Sequence, residues 1–191
     1  RYSEWKIREK LYAKEAKKSL VNSIIKKLKE IDLINDAAFI EDYLGYAEEK
    51  GYGKNRILKE LQEKGIFSQQ LRRVKFSESS ERKKAREQVL KNDVKMTRYS
   101  FDKRKQRHYQ HLLACGFDSG LALDVIDKAI TDKPKQEQEN LKKDYERVFH
   151  RLTSKYEGEE LKRRLFTSLK NKGYRYHDIL KIMEEKNYAD D

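Results

Sequence analysis

Apolar residues along this chain return every three or four positions, the spacing that places side chains on one face of an α-helix. Leu20, Ile24, Leu28 and Ile31 form one such stripe. The stripes come in short bursts, and three bursts close on one shape: Leu61-Gln62-Glu63-Lys64-Gly65-Ile66, Leu112-Leu113-Ala114-Cys115-Gly116-Phe117 and Leu169-Lys170-Asn171-Lys172-Gly173-Tyr174. Glycine just past the last helical turn takes the left-handed conformation cheaply and lets the next apolar residue fold back on the helix. These are therefore helix stops. They stand 51 and 57 residues apart. Stepping back by 50 from Gly65 reaches Glu15 in Leu11-Tyr12-Ala13-Lys14-Glu15-Ala16, a copy that lacks its glycine.

After each stop the pattern predicts a second helix, over Ser19–Ile31, Ser68–Phe76, Asp118–Ile130 and Tyr176–Lys186, with Ser19, Ser68 and Asp118 as N-caps. A third helix follows three times, over Asp36–Lys50, Glu78–Lys95 and Gln136 to about Tyr156. Pro134, the single proline, stands at a helix entrance, where its missing N–H costs nothing. The unit is helix, helix, helix. Its copies are residues 1–52, 53–98 and 99–158, with a partial fourth of two helices over 159–191. Asn187 to Asp191 should fray. A unit of about fifty residues that cannot bury its own stripe stacks against its neighbours, so the expected fold is an all-α, elongated array of tandem three-helix repeats.

Composition sharpens this picture. Charged residues make up 41% of the chain and hydrophobic ones 37%, too little apolar surface for a wide interior and enough for narrow seams between helices. The 12 Tyr, 7 Phe and 1 Trp, recurring at helical spacing, argue against disorder. With 8 Gly and 1 Pro, turns between strands are scarce and no sheet is expected. Cys115 is the only cysteine, which rules out an intramolecular disulfide and a cysteine zinc cluster and suits a reducing cytoplasm. No apolar run approaches the roughly 18–20 residues that span a bilayer, and no secretory pattern is present. The chain opens at Arg1 already inside a helical pattern, so a preceding segment is expected.

The net charge of +12 points to a polyanionic partner, nucleic acid above all. The excess is central: residues 1–60 carry 14 Lys/Arg against 11 Asp/Glu, residues 61–120 carry 15 against 7, and residues 121–191 carry 16 against 15. Arg72, Arg73 and Lys75, then Arg82, Lys83, Lys84 and Arg86, then Arg98, Lys103, Arg104, Lys105 and Arg107 supply it, with Tyr99, Phe101 and Tyr109 interleaved. Such a mixture can hold phosphates while aromatic faces meet bases, although the aromatics are better suited to core seams with only the cations facing water. Nothing marks the few fixed side chains that base-specific reading requires, so binding should be sequence-nonspecific, to single- or double-stranded DNA.

Catalytic patterns are missing. Gly51-Tyr52-Gly53-Lys54 has too few glycines for a phosphate loop and follows a helix, so it reads as a linker. His108 and His111 could share a helical face, but without a third ligand they read as solvated or DNA-facing, and no metal or other cofactor is expected. The paired acids Glu48-Glu49, Glu159-Glu160 and Asp190-Asp191 are adjacent, do not share a face, and read as solvated charges. No catalytic residue is assigned.

Leu28-Lys29-Glu30-Ile31-Asp32-Leu33-Ile34-Asn35-Asp36-Ala37-Ala38-Phe39-Ile40, then Tyr43, then Gly51 through Ile66 resemble the RecX family, bacterial regulators of the RecA recombinase. Ser3-Glu4 leading to Lys10-Leu11 resembles the family's first-helix motif, and Leu165 through Met183, with Gly173-Tyr174, its last repeat. The resemblance is strongest from Ser3 to Ile66 and weak from Phe67 to Lys95; Glu15-Ala16 stands in place of the usual Gly-Phe stop, and Asn35 where an acid is common. It implies a curved array that binds RecA and RecA–DNA filaments and inhibits their recombinase and coprotease activities, modulating recombinational DNA repair and the SOS response. It implies no enzyme activity, a cytoplasmic location and a monomer. The rival expectation is a DNA-binding or architectural protein that works without RecA.

Overall fold

A computed structural model describes residues 2–187. Every regular element among them is helical: α1 (Glu4–Tyr12), α2 (Lys18–Glu30), α3 (Asp36–Lys50), α4 (Lys54–Glu63), α5 (Ser68–Leu71), α6 (Glu78–Asp93) with a 3-10 turn at Val94–Met96, α7 (Phe101–Ala114), α8 (Ser119–Ala129), α9 (Pro134–Thr153), α10 (Gly158–Asn171) and α11 (Tyr176–Asn187). The chain divides into two compact units, one of Arg1–Ala85 with Leu112–Ala122, the other of Arg86–His111 with Leu123–Asp191. In the first, Val21, Ile25 and Ile34 form one buried cluster and Tyr43, Ala47, Ile57, Leu61 and Ile66 another. In the second, Leu141, Tyr145, Val148, Leu165, Leu169, Tyr174, Ile179 and Ile182 gather between α9, α10 and α11. These are the narrow seams that the composition requires.

The glycine stops fold as expected. Gly65, Gly116 and Gly173 have φ of +84°, +88° and +89°. In each case the amide after the glycine bonds back five positions, Ile66 to Leu61 at 3.0 Å, Phe117 to Leu112 at 3.0 Å and Tyr174 to Leu169 at 3.4 Å, which satisfies carbonyls that the helix leaves open. Ile66, Phe117 and Tyr174 are thereby driven into the core. Glu15 makes the same turn without glycine: its φ is +59°, and Ala16 N–H bonds Leu11 C=O at 3.2 Å.

The stops have a second duty that spacing alone does not reveal. In the first three repeats, the start of the first helix docks on the glycine stop of the following repeat. Ser3 caps α1 and donates its hydroxyl to Lys64 C=O. Ser100 caps α7 and donates to Lys172 C=O at 2.6 Å. At the α4 start the cap is Gly53, and the backbone itself comes closer: Gly53 N–H bonds Cys115 C=O at 2.8 Å and Asn55 N–H bonds Gly116 C=O at 3.0 Å. A Cβ on Gly116 would lie 2.3 Å from Arg56 Cβ, and one on Gly65 would lie 2.4 Å from Trp5 Cβ. Only glycine leaves room for the incoming helix.

Each joint is completed by an acid from the third helix of the same repeat. Asp36 accepts from Glu4 N–H at 2.9 Å, Glu81 from Lys54 N–H at 2.8 Å and Glu137 from Phe101 N–H at 2.8 Å. Carboxylates suit helix N-termini, where amide donors and the positive end of the dipole converge. Burial nevertheless pushes Glu137 above the usual carboxylate range, against the pull of its bond from Phe101.

Two expectations change. The helix after Gly65 is one turn, not nine residues, because Leu71 and Phe76 pin an irregular segment to the Tyr43–Ile66 cluster. Ser19 lies inside α2, whose cap is Lys17 with no side-chain bond, so α2 begins on the backbone turn after Ala16. Asp118 caps α8 as expected, accepting from Gly120 N–H at 2.9 Å, α3 spans Asp36–Lys50 as read, and α9 starts at Pro134. The fraying expected at the end falls largely outside the described residues.

Gly116→Ala should lower stability by about 2–4 kcal/mol, combining left-handed strain with overpacking. Gly45 gives the contrast, since it is exposed within α3 and a Cβ there would meet nothing within 4 Å: Gly45→Ala should raise stability by roughly 0.5–1 kcal/mol. Urea unfolding followed by circular dichroism reads both, and equal effects would refute the joint's steric basis.

Candidate nucleic-acid interface

The twelve cations singled out by the sequence do not share one environment. In the first unit, Arg72, Arg73 and Lys75 are exposed on the segment that Leu71 and Phe76 anchor. Along α6, Lys83 is exposed, while Arg82 is half-buried and pairs with Glu78 one turn back at 3.0 Å. Lys84 is buried at 8% exposure. Its ammonium meets Glu81 at 2.7 Å and Glu48 at 3.2 Å and donates to Tyr52 C=O at 3.0 Å. Because Glu81 also closes the start of α4, Lys84 neutralises the acid of a repeat joint.

In the second unit, Arg86, Arg98 and Arg107 are exposed. Lys103 is half-buried and bonds Gln106 at 2.8 Å, and Lys105 pairs with Asp127 at 2.5 Å. Arg104 is buried at 4% exposure and grips Asp93 with two nitrogens, at 3.1 and 2.7 Å. Buried ions persist only when paired, so Lys84 and Arg104 belong to the fold and their charges are not offered to a ligand. Ten of the twelve remain at least partly accessible.

His108 corrects a further expectation. Instead of facing water or DNA it is fully buried, with Nε2 3.0 Å from Asp93 Oδ1. His111 is half-buried, its Nε2 3.0 Å from Asn92 Nδ2, and burial depresses its pKa, with help from His108. Burial raises the Asp93 pKa, but hydrogen bonds from Arg104 and His108 outweigh it and hold the carboxyl below its usual range. The His pair therefore braces the α6–α7 corner. Among the described residues no group of three His, Cys, Asp or Glu could hold a metal ion.

The interleaved aromatics are half-buried. Phe101 lies 5.5 Å from the Lys105 ammonium. Tyr99 is engaged by two arginines: Arg107 stacks over its ring at 4.1 Å, and Arg98, 5.0 Å from the ring, donates to its hydroxyl at 3.0 Å. The Tyr99 backbone is fixed by its bond to Met96 C=O and by Asn140, whose Nδ2 donates to Thr97 C=O at 2.8 Å. The sequence pointed to these cations and to this tyrosine separately. What it did not show is which cations the fold consumes.

No family model matches the chain. Regulatory protein RecX from Streptococcus pneumoniae is 28% identical over 191 residues, covering 96% of this chain and 72% of its own length. A crystal structure of regulatory protein RecX superposes with a TM-score of 0.56 at 24% identity, over 66% of this chain and 64% of that one. The chain resembles RecX in sequence and fold. RecX from Lactobacillus salivarius gives a TM-score of 0.58 at 21% identity, over 67% of this chain and 85% of its own. The pneumococcal alignment extends the RecX likeness through Phe67 to Lys95, where the motifs read from sequence are weakest. The chain spans just under two thirds of the first RecX crystal structure. No helix among the described residues is long and apolar enough to cross a membrane.

Removing one partner from a buried ion pair leaves the other charge stranded, so Arg104→Ala should lower stability by about 2–4 kcal/mol, whereas Arg72→Ala should stay within about 0.5 kcal/mol. The Asp93 carboxyl is depressed in the folded state, so its contribution is present above the unfolded carboxyl pKa and lost as pH falls through the folded value. Arg104→Ala should flatten that acid limb of the stability profile. Denaturant unfolding across a pH series tests both points.

Proposed function

We propose that this chain is a regulator of RecA that binds RecA and RecA–DNA filaments, inhibits their recombinase and coprotease activities, and so moderates recombinational repair and the SOS response. The observation that carries this reading is the likeness to regulatory protein RecX over 96% of the chain. A helical repeat array supports it, because a repetitive binder can engage successive subunits of a polymer and gain effective concentration from contacts that are individually weak. The exposed cations support a share of contact with the phosphate backbone. The protein would act as a monomer in the cytoplasm and without a cofactor.

Purified protein should reduce the DNA-dependent ATP hydrolysis of its cognate RecA, and strand exchange, at substoichiometric ratios. No effect in either assay defeats the reading. A sequence-nonspecific DNA-binding or architectural role without RecA is the second reading, favoured by the exposed Arg72, Arg73, Lys75, Lys83 and Arg86. It expects tight DNA binding with RecA inhibition absent.

Charge reversal at Arg82, Lys83 and Arg86 separates binding from folding, since Lys84, which lies among them, is buried and must stay. The triple variant should retain wild-type helicity and lose up to about 0.9 log unit of salt dependence for each duplex phosphate contact removed. A DNA affinity and salt slope equal to the wild type would move the contact away from α6.

A further inference from the structure

One arrangement recurs in every repeat and is not required by the joint. The residue directly before the N-cap of each first helix is a tyrosine: Tyr2 before Ser3, Tyr52 before Gly53, Tyr99 before Ser100 and Tyr156 before Glu157. A cation from the helix that follows lies over each ring, Lys10 at 3.8 Å, Arg56 at 3.7 Å, Arg107 at 4.1 Å and Arg164 at 4.2 Å. In three of the four the cation stands eight positions after the tyrosine. The repeat therefore builds a tyrosine–cation platform at the mouth of its first helix.

The platforms differ in how their charge is used. Arg56 is tied to Glu60 at 2.7 Å, and Arg164 to Glu160 at 2.6 Å. The first repeat offers a single lysine. The third brings two arginines to one ring, and among the described residues neither Arg98 nor Arg107 has a carboxylate partner. Arg98's hydrogen bond, with the nearby charges of Arg107 and Lys172, holds the Tyr99 phenol below its usual range, a mark of the positive field there. The backbone that carries the ring is held by Asn140 and by the Ser100 cap.

We infer that Arg98, Tyr99 and Arg107 form a binding site for one nucleotide of a single-stranded nucleic acid, the base stacking on Tyr99 and the phosphate held between the two guanidiniums. Tyrosine faces stack on bases of any sequence, and planar guanidiniums match phosphate oxygens in pairs. A duplex keeps its bases inside the stack and gives the ring nothing to meet, so the site prefers single strands. The inference deepens the DNA contact within the proposed function and rests on that reading. The carboxylate-tied platform at Tyr156 and Arg164 serves as an internal control.

The test titrates the full chain into a fluorescein-labelled oligothymidylate and into a labelled hairpin duplex, followed by anisotropy. Tyr99→Leu should weaken oligothymidylate binding at least about fivefold while duplex binding changes less than about twofold. Tyr99→Phe, which keeps the stacking face, should bind nearly as the wild type. Arg98→Ala with Arg107→Ala should reduce the single-strand salt slope by about 0.7 for the phosphate released, and Arg164→Ala should leave it unchanged. A photoreactive 5-iodouracil oligonucleotide, with crosslinks mapped by mass spectrometry, reads the wild-type chain directly and should mark Tyr99. Oligothymidylate binding that is absent, or that is untouched by the Tyr99 and arginine variants, overturns the site, as do crosslinks confined to other peptides. If the variants change RecA inhibition but not oligothymidylate binding, the platform contacts protein and the inference fails. Inhibition of RecA by the wild-type chain, measured alongside, shows whether the regulatory reading stands when the site does not.

Discussion

A missing side chain governs this fold. Where α1, α4 and α7 begin, each comes within bonding distance of a carbonyl at the following repeat's helix stop, and the approach leaves no space for a Cβ on that stop. The left-handed turn that ends the helix and the close contact that joins the repeats thus fall on one residue, and glycine alone meets both demands without strain. Glu15 separates the two roles. It keeps the left-handed turn at φ +59° while exposed, which shows that the turn tolerates a side chain when nothing docks closely on it. At Gly65, Gly116 and Gly173 the neighbour is what makes glycine necessary.

The joint also determines where charge is consumed. A helix start brings bare amides together, and Asp36, Glu81 and Glu137 meet them. A carboxylate placed so deeply needs compensation, and Lys84 supplies it to Glu81 from three positions along α6. Asp93 receives Arg104 and His108 in the same way. Some of the most basic stretches of the sequence therefore contribute to holding the fold, and Lys84 and Arg104 are withdrawn from the surface by it.

Much of this was legible. The periodicity gave helices, the glycines gave their ends, and α3 was bounded correctly because Asn35 and Gly51 flank it with an N-cap oxygen and a left-handed stop. The segment after Gly65 was legible only in part: Phe67, Leu71 and Val74 keep helical spacing, but the helix ends at Leu71 because Leu71 and Phe76 pack an irregular stretch against the Tyr43–Ile66 cluster. Lys84 and Arg104 could not be recognised as internal, since their burial depends on Glu48 and Tyr52 in one case and Asp93 in the other, all contributed by other helices or by an earlier turn. His108 was misread for the same reason. The tyrosine before each cap, and in three copies the cation eight positions on, stood in the sequence, but that the long side chain lies over the ring emerges only from the fold.

The third repeat shows how such an array can vary one copy without disturbing the joint. Helix α7 carries Lys103, Arg104, Lys105 and Arg107 within two turns and only Asp102 among acids. Lys103 and Arg107 stand one turn apart, a like-charge spacing that costs an isolated helix a few tenths of a kcal/mol. The fold relieves this unevenly: Arg104 goes to Asp93, Lys105 goes to Asp127, and Arg107 turns to the face of Tyr99, where a ring quadrupole offers at most about 1 kcal/mol at an exposed site. In the fourth repeat the comparable arginine has Glu160 one turn behind it, while in the third that position is Lys103. Substituting a cation for a carboxylate at one surface position therefore converts a closed tyrosine–arginine pair into an open one. Lys103 serves the joint through its backbone, whose N–H bonds Ser100 Oγ at 3.3 Å and stands 3.2 Å from where a Cβ on Gly173 would lie, so exchanging the end of its side chain leaves the contacts that hold the repeats together available.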